Sequence, residues 1–132
     1  MHPRLRSDLR VQAMLRTATA SGVFATVVQR GHEVAGAIFV KATSGSQAVR
    51  IYAAAPGPGM DDEGRPRWTH ATSQSTQSEA DADAYLARRS AADPDIWIIE
   101  METADATPYL DGSVATDEPP RSNPEIDKAF RR

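Results

Sequence analysis

The stretch Asp93-Pro94-Asp95-Ile96-Trp97-Ile98-Ile99-Glu100 constrains the fold of this chain more than any other. Proline has no backbone N–H, and its ring pushes the preceding residue out of the helical region, so a helix arriving from the N-terminal side stops by Asp93. Four consecutive apolar residues follow, and Met101 extends the run beyond Glu100. Successive side chains of a strand point to opposite faces, so a run that is apolar at every position has to be covered on both sides. Residues 96–101 are therefore expected to form a central strand, with Ile96, Ile98, Glu100 and Glu102 on one face and Trp97, Ile99 and Met101 on the other.

The helix that this proline ends is legible too. Ser78 is a cap residue with Asp81 at the capping-box position; acids crowd the first turns and Arg88-Arg89 close the helix, as its dipole favours. Ala82, Tyr85, Leu86 and Arg89 trace its inner edge. An earlier helix is signalled by Val11, Met14, Leu15 and Ala18 at i, i+3, i+4, i+7, with Ser7 as the expected cap and Gly22 as the C′ stop. Leu5 and Leu9 lie off that stripe and call for a second contact, from the tail or from another subunit. Between the helices, runs 23–29, 36–43 and 48–54 are rich in β-branched and aromatic residues. Their connections, Arg30-Gly31-His32-Glu33 and Ser44-Gly45-Ser46, are of hairpin length and predict an antiparallel meander. A Pro/Gly-rich loop from Pro56 to Pro66 leads to a short fourth strand, 67–71.

At 132 residues, with 40% hydrophobic and 25% charged composition, the chain has enough apolar material for one core. We expect one domain over residues 1–110 and a polar, Pro-rich tail over 111–132. Inside that tail Asn123-Pro124-Glu125 is a well-formed helix start, and Ile126, Ala129 and Phe130 would form the apolar face of a short helix over 124–131. No run approaches the ~20 apolar residues that span a bilayer, and residues 1–4 lack the apolar stretch of a secretory signal. With no cysteine, disulfides and thiol catalysis are excluded, and a cytoplasmic protein is the expectation. A net charge of −3 supplies no basic field for nucleic acid or anionic lipid.

The chain resembles a family of small alphaproteobacterial proteins catalogued as domain of unknown function 1491. The resemblance rests on Ser7-Asp8-Leu9 with Val11, Ala13 and Leu15-Arg16; on Gly36-Ala37-Ile38-Phe39-Val40-Lys41; on Tyr52 with Ala55-Pro56; and most specifically on the Asp93–Glu100 block. It covers about residues 4–111 and leaves the tail outside. It implies a stand-alone bacterial protein with no assigned activity and no catalytic residues to transfer.

Candidate chemistry is sparse. Asp93, Asp95, Glu100 and Glu102 suit a divalent cation in residue type, and Asp95 with Glu100 is the arrangement a metal-dependent nuclease or hydrolase would use. Such a site wants a lysine two residues after the second acid, where Glu102 stands, and no ligand set closes. Lys41, one of only two lysines, ends the apolar run Ile38-Phe39-Val40 and shares the strand face of Phe39. A lysine on a core face wants a carboxylate such as Glu100 or Glu102, and a desolvated lysine beside an acid is a catalytic candidate. His2, His32 and His70 form no zinc pattern, and Ser73, Ser75 and Ser78 sit in no nucleophile elbow. Pro56-Gly57-Pro58-Gly59 has too few N–H donors, and too many acids behind it, to cradle phosphate.

Candidate binding residues are Arg6, Arg10 and Arg16 on the outer face of the first helix, together with Trp68. The arginines read most simply as a solvated basic face.

The expected fold is α+β: an antiparallel sheet of about five strands with two helices on one face, in the order α-β-β-β-β-α-β. The function expected is that of a non-catalytic binding or regulatory domain acting through a protein partner or self-association. The alternative is a small metal-dependent hydrolase using Asp93, Asp95, Glu100 and Lys41. No cofactor or metal motif is present, and no residue pattern names a small-molecule ligand.

Overall fold

A computed structural model describes residues 5–45, 49–72 and 78–115. The elements run α1 (Ser7–Ala20), β1 (Ala25–Gln29), β2 (Ile38–Thr43), β3 (Arg50–Ala54), β4 (Arg67–His70), α2 (Glu79–Ala92), β5 (Trp97–Glu102), a 3-10 turn (Thr107–Tyr109) and β6 (Ser113–Val114). The helix 124–131 expected in the tail lies outside the described residues.

Local signals place the helix ends. Ser78 accepts a hydrogen bond from the Asp81 N–H and caps α2; Asp93 leaves the helix at φ −145° ahead of Pro94. At the end of α1, Gly22 adopts φ +81°. Its N–H donates to the Thr19 carbonyl while Val23 N–H donates to Ala18, the paired bonds of a Schellman cap. At the other end of α1 the cap is Arg6, not Ser7. Ser7 is the first helical residue and is buried, and its hydroxyl donates to the carbonyl of Gly36 at 2.7 Å. A serine there ties α1 to the sheet, so its hydroxyl serves a tertiary bond instead of a cap.

The sheet has six strands in the order β1-β5-β2-β3-β4-β6. It is mixed: β5 pairs in parallel with β2 and β6 in parallel with β4, and the remaining pairs are antiparallel. The expected five-stranded antiparallel sheet is corrected at two points. Composition places residues 113–114 in the tail, yet they add an edge strand to β4. The meander is broken because β5 inserts between β1 and β2, whose connection is short enough for a hairpin but does not make one. Local turn length permits a hairpin; burial of the most apolar strand outweighs it, since only a position with a neighbour on each side satisfies the backbone of a strand covered on both faces.

The helices also do not share a face. Val11, Met14 and Ala18 of α1 pack with Ile38, Val40, Tyr52, Trp68, Trp97, Ile99 and Met101. Ala82 and Leu86 of α2 pack with Phe39, Val49, Ile51, Ile96 and Ile98 on the opposite side. This is what the unbroken apolar run of β5 requires, and one helix on each face answers it.

The connection between β1 and β2 wraps over the entry to β5. His32 N–H donates to the Asp95 carbonyl at 2.9 Å, and the Trp97 indole N–H donates back to the His32 carbonyl at 2.8 Å. A Cβ at Gly31 or Gly36 would collide with the Asp95 carbonyl, so both positions need glycine for close approach.

Candidate functional site

Lys41 is at the centre of the site. It lies on β2 with Phe39 and Thr43 toward the α2 side of the sheet, and its side chain is 5% exposed. Its ammonium donates to Asp83 at 2.8 Å and to Glu79 at 2.9 Å, and ion-pairs with Glu100 at 3.6 Å. Glu100 faces it because parallel pairing sets Lys41 beside Glu100 in register. Glu79 and Asp83 are four apart on α2 and so project from one side of the helix. Burial pulls the Lys41 ammonium toward its neutral form, but hydrogen bonds to Asp83 and Glu79 and the charge of Glu100 outweigh it, leaving its pKa above the ordinary lysine value. It is a fixed cation at physiological pH, unsuited to act as a base or an amine nucleophile.

Two clefts flank this cluster. A groove of about 490 Å³ runs between α2 and the β5–β1 half of the sheet. Val28, Leu86, Ala87, Ala91 and Ile98 form its apolar lining, and Lys41, Asp83 and Glu100 close one end. A second cleft of about 460 Å³, lined by Thr43, Ser44, Gly45, Glu79, Glu100 and Glu102, continues beyond the cluster. The groove exists because α2 packs over β2, β3 and β5 and leaves β1 uncovered. The bulge between Val27 and Gln29 turns Val28 and Gln29 both toward that side. Gln29 is tied down by a bond from Ser90 and by its own donation to the Ile96 carbonyl. Phe24, just before this edge strand, and Val28, within it, are 63% and 57% exposed.

The other candidates disperse. Asp95 stands about five strand residues, roughly 16 Å, from Glu100; its carbonyl holds the β1–β2 connection, and its N–H is received by the Asp93 carboxylate at 3.0 Å. Lys41 and Glu100 thus come together without Asp93 or Asp95. Among the described residues no group of three or more His, Cys, Asp or Glu is placed to hold a metal ion.

The arginine face is not one solvated surface. Arg6 pairs with Asp8 and Glu33. Arg10 makes a fork on Asp111 at 2.6 and 3.2 Å and lies over the Trp68 ring, whose indole N–H donates to the same carboxylate. Arg16 is exposed. Trp68 is buried and offers no stacking platform.

Glu79 and Asp83 are the site residues that sequence reading missed. Their i, i+4 spacing beside the buried stripe Ala82–Leu86 was the available signal, and nothing local tied it to Lys41.

The family model described as "Protein of unknown function (DUF1491)" matches residues 5–111. The chain belongs to the DUF1491 family. A crystal structure of a DUF1491 family protein from Caulobacter crescentus is similar at 34% identity and TM-score 0.71, covering 85% of this chain and 100% of that one. A solution structure of a protein from A. tumefaciens is similar at 32% identity and TM-score 0.69, over 82% and 93% of the two chains. An NMR structure from Caulobacter crescentus gives 33% identity and TM-score 0.69, over 86% and 99%. No curated protein matches the chain. The matched residues thus carry β1 to β5, both helices and the Lys41 cluster, and among the described residues no helix is long and apolar enough to cross a membrane.

Proposed function

We propose that this protein is a binding domain that acts through protein contacts, and that the groove along α2 receives an extended or helical segment with apolar anchors followed by basic residues. The observation that carries the reading is the join between an apolar floor (Val28, Leu86, Ile98) and a net-acidic end. At that end one buried lysine is set against Glu79, Asp83, Glu100 and Glu102. An apolar channel with a charged end selects for composition and direction together. A hydrolase built on Asp93, Asp95, Glu100 and Lys41 loses support. The Asp93 carboxylate is spent on the turn before β5, Asp95 stands roughly 16 Å from Glu100, and Lys41 is held protonated. A cytosolic setting fits a chain with no cysteine to oxidise.

The test is a titration of isotope-labelled protein with two short peptides, each carrying two leucines four apart, one followed by two arginines and the other by two glutamates. The arginine peptide is expected to shift the amide signals of Val28, Leu86, Ile98 and Glu100, at least tenfold more tightly than the glutamate peptide. Val28→Glu, a change at an exposed position, is expected to abolish that binding with the fold intact. Equal response to both peptides, or shifts elsewhere, would reject the proposal.

A further inference from the structure

Resting on that reading of the groove, we infer that a second copy of this chain completes it, pairing through the outer edge of β1 and setting its own Phe24 beside Val28. β1 is an outer strand of the sheet, and among the described residues no strand pairs with its far side. Edge strands ordinarily carry a charge or a proline that discourages such pairing, and residues 23–29 contain neither. Phe24 and Val28 are instead apolar and more than half exposed.

The backbone fixes the register. Glu102 N–H donates to the Phe24 carbonyl, so Phe24 and, by alternation, Thr26 turn their backbone groups toward β5. Ala25 and Val27 therefore present theirs at the open edge. Two antiparallel copies use both residues of each when Ala25 of one pairs with Val27 of the other. Thr26 then meets Thr26 on a two-fold axis, and Phe24 falls opposite Val28 of the other copy, twice. These are non-hydrogen-bonded positions, where facing side chains come closest. Ala25 and Val27 pack on the α1 side, so Phe24 and Thr26 point to the α2 side, where Val28 already lines the groove.

Charge agrees with a copy as the occupant. The uncharged stretch 23–29 brings no like charges together when it pairs with itself. Arg30, which lies over its own Trp97 on the α1 side, would come to the end of the other copy's α1, whose last turn holds no basic residue. The axis stands perpendicular to the sheet and keeps both α2 helices on one side. The two grooves thus face each other across β1 and share a floor, each gaining the other copy's Phe24.

Because the chain has no cysteine, Thr26→Cys places one thiol on the axis. Opposed Cβ atoms in such a pair are about 4.5–5.5 Å apart, within reach of a disulfide. Mild oxidation is expected to link Thr26→Cys into a dimer of twice the 14.3 kDa of one chain. It should do so about tenfold faster than Arg16→Cys, an exposed position on α1, because pairing raises the local thiol concentration. F24S/T26C, which loses both Phe24–Val28 contacts at an exposed position, is expected to link as slowly as Arg16→Cys. Equal rates for Thr26→Cys and Arg16→Cys, or a fast rate that survives in F24S/T26C, would overturn the inference.

The second arm titrates the arginine peptide into the linked dimer and into Phe24→Ser. The dimer is expected to bind about tenfold more tightly, the worth of one added apolar wall. Equal affinity would overturn completion by a second copy and leave the groove reading in place on one chain. No binding to either, with the link formed, would remove the groove reading and with it the completion, while the pairing stands.

Discussion

Lys41 and Asp83 are 42 residues apart in sequence and 2.8 Å apart in space, joining the second strand to the helix that covers it. The contact is asymmetric. The lysine is buried, whereas the side chains of Asp83 and Glu79 remain more than half exposed. The lysine therefore depends on the acids more than the acids depend on the lysine.

Removing one side of this cluster should therefore cost much more than removing the other. Lys41→Met leaves three carboxylates that can turn to water and puts a methionine of similar length on an apolar face; a loss of about 1 kcal/mol is expected. The triple change Glu79→Gln, Asp83→Asn, Glu100→Gln leaves an uncompensated buried ammonium, and about 3–5 kcal/mol should be lost. Urea denaturation of the two variants decides it, and equal losses would contradict the asymmetry.

The same cluster gives stability a pH dependence on the alkaline side. The folded pKa of Lys41 is raised, so folding holds the proton more tightly than the unfolded chain does. Its contribution is fully present below the ordinary lysine value of about 10.4 and is lost as pH rises through the folded value. The difference in urea midpoint between the unaltered protein and Lys41→Met should shrink steadily above about pH 10. A difference that stays constant would contradict the assignment.

Gly36→Ala should damage folding out of proportion to one methyl group. The added carbon meets the Asp95 carbonyl and the backbone of His32, neither of which can turn aside as a flexible side chain would. A loss of about 2–3 kcal/mol is expected, as for overpacking against rigid neighbours. The control is Gly45→Ala, where nothing lies within 4 Å and only the φ of +58° is strained. Thermal melts should rank Gly36→Ala well below that control.

Asp111→Ala should loosen both ends of the chain at once. Its carboxylate receives Arg10 and the Trp68 indole N–H, and the buried indole would be left without an acceptor. Leaving a buried donor unpaired costs about 1–3 kcal/mol. Asp111→Asn keeps one acceptor oxygen for Trp68 and should recover part of the loss. Tryptophan fluorescence during denaturation would separate the two variants.

Much of this molecule is written locally. Pro94 after Asp93, the Ser78 cap with Asp81, the Schellman turn at Gly22 and the stripe Val11–Met14–Ala18 each rest on forces acting within a few residues. Boundaries read from them hold to within a residue or two. The run Ile96–Ile99 announces by composition alone that both faces of its strand are covered, and Lys41 on the face of Phe39 announces a carboxylate partner. Which strands flank 97–102 is not written there. Pairing partners are chosen by the total area buried across the sheet, and the short connection after β1 suits a hairpin as well as it suits a wrap around β5. The placement of the helices on opposite faces, the recruitment of Ser113–Val114 and the seating of Asp111 against Arg10 follow from that same choice. By itself, then, the sequence determined both helices, the strands β1 to β5 and the need to cover one of them twice, because those depend on periodicity and on backbone sterics. The meeting of Lys41 with Glu79 and Asp83, and the groove beside them, were decided only in three dimensions, where α2 covers β2, β3 and β5 and stops short of β1.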